Sequence, residues 1–313
     1  MKKNKNYINR FGKKEKWTKF TAKDSASLFD FLQSAMPEKS RTAIKELLAN
    51  KQVKVNENME SHFNFEVKAG DSIAISNIKA PREIPLKGLK IIYEDLDIIV
   101  IYKDKGLLSV STNKENEKTA FHILSNYIKQ ADPKNQIFIV HRLDRETSGL
   151  MLFAKSMEVK SFLQTDWKET VMDRRYYVAV EGEVRKDHGV VHSWLTENKN
   201  FQVFSSDYPN GGQEAITHYK VLRRNPDYSL LEVRLETGRK NQIRVHMQDL
   251  GHPVVGDKKY GATHSPINRL ALHAFLLAFK HPKTKEVIKF DTPIPDEFNK
   301  LFKKSDTVVQ NES

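Results

Sequence analysis

Seven segments rich in β-branched and aromatic residues constrain the fold of this chain more than any other feature of the sequence. They lie at residues 91–92, 98–101, 137–140, 176–180, 215–222, 230–235 and 270–279. Turns bound these segments, as is typical of strands. Helical spacing fits best at 119–131, 156–170 and 241–250, with Gly251 placed to end the last helix. Because several strands follow one another directly, residues 89–303 predict an α+β domain with a mixed, largely antiparallel sheet.

Residues 23–78 have a different pattern, which predicts a small α/β domain. Asp24 or Ser25 is placed to cap a first helix, and a second helix follows Pro37. Alternation then predicts short strands around 53–55 and 73–75, separated by turns. Residues 79–88 contain two prolines and few periodic apolar positions, so they are interpreted as a linker. Residues 304–313 are interpreted as a C-terminal tail.

The positive charge is concentrated at the N-terminus. The chain of 313 residues carries a formal net charge of +12. Its first 20 residues hold eight basic side chains and one acid, and aromatic residues are interleaved with them. Residues 1–22 are therefore interpreted as a basic aromatic tail that contacts a polyanion, with RNA as the economical choice. A solvated leader and a membrane surface are the competing interpretations.

Composition excludes several kinds of site. The chain has no cysteine, so it has no disulfide, no zinc–thiolate site and no cysteine nucleophile. No apolar run is long enough to cross a bilayer, and none follows the basic N-terminus as in a signal peptide. A cytoplasmic protein without a membrane partner is expected, and a monomer is the default expectation.

The strongest chemical signal is the polar segment His141–Leu150. An apolar strand leads into it and another, Met151–Ala154, leaves it, so its side chains would be exposed at a fixed place. Asp144 lies between Arg142 and Arg145, whose charges favour its ionised form. Only an ionised carboxylate is a nucleophile. Taken alone, this segment is equally compatible with a structural network of aspartate and arginine.

The segment resembles the catalytic motif of the RluA-type pseudouridine synthases, His-Arg-Leu-Asp-x-x-Thr-Ser-Gly. Arg175–Gly182 resembles the basic-x-Tyr strand of that family. Thr237–His246 resembles its Gly-Arg-x-His-Gln-Ile-Arg-x-His segment, with Asn241 where the family usually has histidine. The resemblance continues through Gly251–Gly261 and Leu270–Ala274, and it spans about 89–300.

This resemblance implies a mechanism without a cofactor and a role for each matching residue. Asp144 would be the nucleophile, attacking ribose C1′ or base C6. Tyr176 would stack on the base and act in deprotonating C5, which for a phenol requires a lowered pKa or late, concerted proton transfer. Arg244 would pair with Asp144. The residues expected to bind the substrate are His141, Arg142, Arg239, Gln242 and Ile243, of which Arg142 would fill the stack left by the flipped base.

Residues 24–78 resemble the S4 RNA-binding domain over about 55 residues. The order of elements matches, as do Val53-Lys54-Val55-Asn56 and Ala69–Ile73. The usual glycine before the first of these strands is replaced by Lys51 or Gln52. In that family the second helix presents basic residues to RNA, which assigns Lys39, Arg41 and Lys45 to RNA binding. A solvated helix face is the alternative.

Two other chemistries have weaker support. The histidines include His246, His252, His264 and His273, yet none forms a helical pair with a nearby carboxylate, so no metal site is predicted. No glycine-rich loop follows a strand, so a nucleotide cofactor is not predicted either.

The sequence therefore predicts a pseudouridine synthase that acts on RNA, with large-subunit ribosomal RNA as the expected substrate. Within this prediction, tRNA is the alternative substrate. A non-catalytic RNA-binding protein on the same fold and a structural ribosomal protein are the alternative functions. The retention of Asp144, Tyr176 and Arg244 favours an active enzyme.

Overall fold

The computed structural model describes residues 16–77, 86–111, 118–165 and 167–302, which fall into two compact units. The first comprises the described residues up to 77 together with Ser125–Gln136, and the second comprises the described residues of Leu86–Leu124 and those from Ile137 onward. Most of the predicted basic tail, residues 79–85 of the predicted linker and the C-terminal tail lie outside the described residues.

The first unit is built from short elements. They are β1 (Trp17–Thr21), β2 (Ala26–Ser27), α1 (Leu28–Ala35), α2 (Arg41–Ala49), β3 (Val53–Val55), β4 (Asn58–Met59), β5 (Glu66–Val67) and β6 (Ser72–Ser76). A four-stranded sheet has the order β1-β6-β3-β4, and β2 pairs with β5. The two helices and these strands bury one apolar cluster that includes Leu32, Ile44, Val53 and Ile73. The small α/β domain predicted from the sequence is thus present as a unit with its own core.

Two local predictions in this unit were wrong. The first helix is capped by Ser27, whose hydroxyl accepts from the N–H of Asp30 at 3.1 Å, and not by Asp24 or Ser25. Residues 17–21, assigned to the tail, form the edge strand β1 and pair with Ser72–Ser76. Phe20 packs against the core from this strand, which explains why it is drawn into the sheet.

The second unit is dominated by strands. It contains β7 (Leu89–Glu94), β8 (Ile98–Lys103), β9 (Phe138–Ile139), β10 (Ser148–Ala154), β11 (Val171–Glu181), β12 (His188–Glu197), β13 (Val203–Ser206), β14 (Gln213–Arg224), β15 (Tyr228–Leu235), β16 (Leu272–Lys280) and β17 (Val287–Asp291). The helices of the remaining chain are α3 (Ala120–Lys129), α4 (Met157–Thr165), α5 (Trp167–Thr170), α6 (Gln242–Asp249), α7 (Asp296–Lys300) and a 3-10 turn at Lys258–Tyr260. Both α4 and α5 lie within the helix predicted at 156–170, and residue 166 between them is outside the described residues.

These strands form one large sheet in the order β13-β12-β14-β15-β11-β16-β10-β8-β7, with β17 beside β16 and β9 beside β10. Among the described strands only β10 and β16 pair in parallel. The predicted α+β class with a largely antiparallel sheet is confirmed. No helix in the described part of the chain is long and apolar enough to span a membrane.

Two helices cover parts of this sheet. Val159 and Leu163 of α4 pack on the buried residues of β8 and β10. Val245 of α6 packs with Leu195, Ala215 and Tyr260 near the other end of the sheet. The segment that enters β10 and the N-terminus of α6 carry the residues considered next.

Candidate active site

The segment of residues 141–147 lies between β9 and β10. It precedes β10, which is buried along its whole length and hydrogen-bonded to β8 and β16. Gly149 has φ +123°, and a Cβ at this position would lie 2.1 Å from the carbonyl oxygen of Ala274. Only glycine fits there, since both the backbone conformation and the contact exclude a side chain. The glycine of the motif thus lets β10 approach β16 closely.

Side chains from another part of the chain hold the backbone on both sides of Asp144. Ser109 Oγ donates to the carbonyl of Leu143 at 2.6 Å and accepts from its N–H at 3.1 Å. The carbonyl of Arg145 accepts from Lys103 Nζ at 3.1 Å and from the N–H of Gly106 at 2.8 Å. Backbone fixed in this way presents a catalytic side chain in one geometry. Neither Lys103 nor Ser109 belongs to a motif that predicts a role for it.

Lys103 is fully buried and has an unusual environment for a lysine. Its ammonium also donates to the carbonyls of Asp104 and Leu107. Burial lowers the pKa of Lys103 to about 8, against the opposing influence of nearby carboxylates. The only signal in the sequence is a lysine that ends an otherwise apolar strand.

The predicted pairing of Asp144 with Arg244 is present and has a third member. Arg244 Nη1 lies 3.4 Å from Asp144 Oδ2. The other edge of the guanidinium is bound by Asp257, with Nε–Oδ2 at 2.6 Å and Nη2–Oδ1 at 2.7 Å. The Asp257 side chain is 1% exposed and that of Asp144 is 29% exposed. Asp257 therefore fixes the arginine by a bidentate bond, and Asp144 keeps access to the cavity.

Asn241, the departure from the family pattern, joins the same cluster. Its backbone is left-handed, with φ +55° and ψ +16°, a conformation that asparagine tolerates well. Its Oδ1 accepts from Arg244 Nη1 at 3.0 Å, and its Nδ2 donates to the hydroxyl of Tyr260 at 3.0 Å. The asparagine thus links the arginine to Tyr260, over whose ring the guanidinium also lies.

One cavity brings together most of the residues predicted for the site. It is lined by Arg142, Leu143, Asp144, Thr147, Tyr176, Leu235, Gly238, Arg239, Lys240, Asn241, Gln242, Ile243, Arg244 and Leu272. Tyr176, Ile243 and Leu272 are nearly buried, so they supply an apolar wall beside the carboxylate. Such a mixture of apolar walls and a few polar groups suits a planar base.

Tyr176 is the buried aromatic residue of this wall. Burial raises its pKa; the charge of Arg174 opposes this shift, and that of Asp144 adds to it. The phenol is therefore protonated at neutral pH. The lowered pKa that a free phenolate base would need is absent.

Two residues predicted to contact substrate are engaged within the protein. Gln242 donates to the carbonyl of Ile216 and to Thr217, and its Oε1 accepts from Thr237 and the N–H of Arg239. Its amide is fully used in holding the first turn of α6. His141 does not line the cavity, and its Nε2 accepts from the N–H of Leu152 at 3.1 Å. Gln242 nevertheless lines the cavity, and contact of these two residues with substrate stays a prediction.

The remaining predicted cations are accessible. Arg142 is exposed at the cavity, and Arg239, also exposed, donates from Nε to the carbonyl of Glu214. In the first unit, Lys39 precedes α2, while Arg41 and Lys45 lie on its exposed side, with Ile44 buried between them. RNA binding by these three residues stays a prediction.

The four histidines considered for metal binding have partners within the protein. His246 lies between Ser193 and Thr217, and His273 lies between Ser148 and Thr292. His252 is 2.9 Å from the carbonyl of Glu181, and His264 contacts the Glu181 carboxylate.

One group of possible metal ligands, Asp95, Asp97 and His281, does come together among the described residues. Both carboxylate oxygens of Asp95 already accept hydrogen bonds. Oδ1 accepts from the N–H groups of Asp97 and Ile98, and Oδ2 accepts from Tyr93 and contacts His281. We therefore interpret this group as part of a turn that these hydrogen bonds stabilise.

Comparison with known proteins identifies the motifs around this cavity. Residues 97–249 match the family of RNA pseudouridylate synthases. An uncharacterized RNA pseudouridine synthase of Bacillus subtilis is 32% identical over 87% of this chain and 91% of its own length. The ribosomal large subunit pseudouridine synthase D of Haemophilus ducreyi is 32% identical over 93% of this chain and 95% of its own length.

Solved structures show the same fold. The human RNA pseudouridylate synthase domain containing 4 matches with a TM-score of 0.56 and 22% identity, over 67% of this chain and 90% of that one. The human RNA pseudouridylate synthase domain containing 1 matches with a TM-score of 0.53 and 23% identity, over 68% and 86% of the two chains.

Proposed function

This chain belongs to the family of RNA pseudouridine synthases, and we propose that it isomerises uridine in large-subunit ribosomal RNA with Asp144 as the nucleophile. The observation that carries the proposal is the Asp144–Arg244 pair at the wall of an open cavity, 3.4 Å apart, with Asp257 binding the far edge of the arginine.

The reaction is an isomerisation, so its atoms balance within the substrate. The C1′–N1 bond breaks, a C1′–C5 bond forms, a proton leaves C5 and a proton is bound at N1. Asp144 attacks either C1′ or C6 and is released when the new bond is complete. Arg244 holds the carboxylate charged and oriented through Nη1, since its other two donor nitrogens are occupied by Asp257.

Tyr176 and Ile243 hold the uracil while it turns. Both are nearly buried and line the cavity with Asp144, so they offer an apolar surface to the base. Because the pKa of Tyr176 is raised, the phenol does not act as a preformed base. A phenol can act as a base through a lowered pKa or through late, concerted proton transfer. The raised pKa is compatible only with the second route for the C5 proton.

Arg142 is proposed to occupy the place that the target base leaves in the RNA. Flipping a base out of its stack costs a few kcal/mol, which an inserted side chain partly offsets. Arg142 is exposed at the rim of the cavity, two residues before Asp144, and its guanidinium can stack on neighbouring bases.

Two observations support ribosomal RNA as the substrate. The relative from Haemophilus ducreyi, which this chain matches over most of its length, is a ribosomal large subunit enzyme. The first unit carries Lys39, Arg41 and Lys45 at its second helix, where the resemblance to the S4 domain implies RNA-binding residues, and this supports a second RNA contact. A tRNA remains the alternative substrate.

Release of tritium from C5 of uridine tests this proposal. Large-subunit rRNA and tRNA are transcribed with 5-tritiated uridine and incubated with the full chain or with Asp144→Asn. We expect release from the rRNA by the wild-type chain alone. Release from tRNA only would overturn the substrate, and release by the Asp144→Asn chain would overturn the nucleophile.

A further inference from the structure

The turn between β12 and β13 carries an exposed phenylalanine. Phe201 is 70% exposed, and its backbone is left-handed with φ +58°. The turn is well formed, because Asn198 Oδ1 accepts from the N–H groups of Asn200 and Gln202. Bulky residues rarely adopt this backbone conformation, and this ring gains little burial. The fold itself therefore gives no reason for a phenylalanine here.

Two lysines contact Phe201, and a third lies close to it in the chain. Lys240 Nζ lies 5.3 Å from the ring centroid and also pairs with Glu197. Lys259 Nζ donates to the carbonyl of Phe201 at 2.9 Å, and Lys199 is exposed two residues before the ring. Three lysines against one glutamate make the surroundings of Phe201 positive. We call Phe201, Lys199, Lys240 and Lys259 the Phe201 patch.

The Phe201 patch is continuous with the cavity. Lys240 belongs to the cavity wall. The hydroxyl of Tyr260 accepts from the N–H of Val203, just after the turn, and from Asn241, which contacts Arg244. The position of the turn is thus tied to the cluster that holds Asp144.

We propose that Phe201 stacks on an unpaired RNA base next to the target uridine, while the lysines of the Phe201 patch contact the adjoining phosphates. The inference rests on the proposed function, because it takes the cavity at Asp144 as the place where the uridine enters. An exposed ring among cations is how proteins bind unpaired bases, since every base can stack and every nucleotide carries a phosphate.

The substitution Phe201→Asn tests the proposal without damage to the fold, since asparagine tolerates the left-handed backbone. Phe204→Thr is the matched control. Phe204 is 46% exposed on β13 and faces away from the core side of that strand, where Val203 packs with Tyr260. The tritiated rRNA and tRNA transcripts serve as probes, and KM, kcat and the melting temperature are measured for the full-length chain and each variant.

For Phe201→Asn we expect KM to rise about tenfold, the order expected for one lost stack, with kcat within about threefold and the melting temperature unchanged or higher. Phe204→Thr should leave both kinetic constants within about twofold. A wild-type KM for Phe201→Asn, or an equal rise for the control, would overturn the proposal.

A photoreactive phenylalanine analogue at position 201 gives a second measurement on an intact fold. Cross-links should map to the nucleotides that flank the modified uridine. Cross-links elsewhere in the RNA, or to protein alone, would overturn the proposal. A wild-type chain that releases no tritium would instead refute the proposed function, so the two failures are distinguishable.

Discussion

The polar groups of the cavity and those of α2 differ in how tightly the protein holds them. Arg244 uses Nε, Nη1 and Nη2 on Asp257, Asn241 and Asp144, and its side chain is 15% exposed. Arg41 and Lys45 are exposed on α2, and within the described part of the chain neither side chain forms an ion pair. The guanidinium of Arg41 contacts only the ring of Phe29 among the described aromatic residues, at 4.9 Å from the centroid, so the charge on α2 is held less tightly than that of Arg244.

The difference follows from what each region has to do. A nucleophile acts only when its position is fixed before the reaction, so its neighbours must be ordered by hydrogen bonds. A phosphate contact needs charge within reach and tolerates many geometries. Substitutions in the cavity should therefore lower kcat, and substitutions on α2 should change affinity and its salt dependence.

Asp144→Asn should give the largest effect. The amide cannot act as the nucleophile, so the rate of conversion should fall by at least about 10⁴-fold. Affinity for RNA, measured by filter binding, should stay within a few fold because the shape of the side chain is kept. Loss of rate and affinity together would contradict the separation of the two regions.

Asp257→Asn should come next, with kcat about 100-fold lower and KM little changed. The variant lacks the charge that fixes Arg244, so the arginine is free to turn away from its position beside Asp144. Single-turnover conversion of a labelled transcript measures this effect.

Asp173→Asn is the control for that variant. Asp173 binds Arg175 in a similar bidentate way, on the face of β11 opposite Tyr176. The kcat of the Asp173→Asn variant should stay within about twofold of the wild-type value. Equal losses in the two variants would mean that any broken arginine pair lowers the rate, and the special position of Asp257 would be refuted.

Replacing Lys39, Arg41 and Lys45 together by glutamine should leave kcat unchanged. Affinity should fall about tenfold at moderate salt, and the slope of log K against log salt should lose about one for each phosphate contact removed. Binding titrations at several salt concentrations measure both. An unchanged slope would exclude α2 from the RNA interface.

Acid should affect the second unit through its buried histidines. Burial lowers the pKa of His246 to about 4 and those of His141 and His273 to about 3. The unfolded chain then binds more protons below pH 6.5, so the stability present above that pH is lost as the pH falls towards 4 and 3. Each histidine contributes at most about 1.4 kcal/mol per pH unit.

Urea unfolding at several pH values should therefore give a falling midpoint from about pH 6.5 downward. His246→Gln should make the midpoint fall less steeply with pH, by the contribution of this one histidine. It should leave the kinetic constants at neutral pH nearly unchanged. The same slope in the variant would contradict the assignment of this histidine.

Much of the fold could be predicted because apolar alternation is local. The apolar pattern that predicts strands at 98–101 and 230–235 lies within those residues themselves. The first of these ranges forms part of β8 and the second forms part of β15. β12 was missed because histidines occupy its exposed face and only Ser193 and Leu195 are buried within it. Its place in the sheet is given by its neighbours β13 and β14, which no local pattern reveals.

The residues of the site likewise divide into those that motifs predict and those whose contacts depend on tertiary packing. Asp144, Tyr176 and Arg244 could be predicted from motifs, and the structure brings them to one cavity. Lys103 could not, because its partner carbonyl at Arg145 is 42 residues away and the contact depends on the packing of β8 beside β10. The hydrogen bonds that Gln242 and His141 form within the protein could not be predicted either, because a motif does not distinguish a side chain that binds substrate from one that holds the wall.

Mapping of pseudouridine in cellular RNA tests the central claim most directly. Large-subunit rRNA and tRNA from cells with and without the gene are treated with a carbodiimide whose pseudouridine adduct stops reverse transcriptase. We predict a site in large-subunit rRNA that is lost without the gene and restored by the wild-type chain, but not by Asp144→Asn. Restoration by Asp144→Asn would contradict the account, and so would a lost site found only in tRNA.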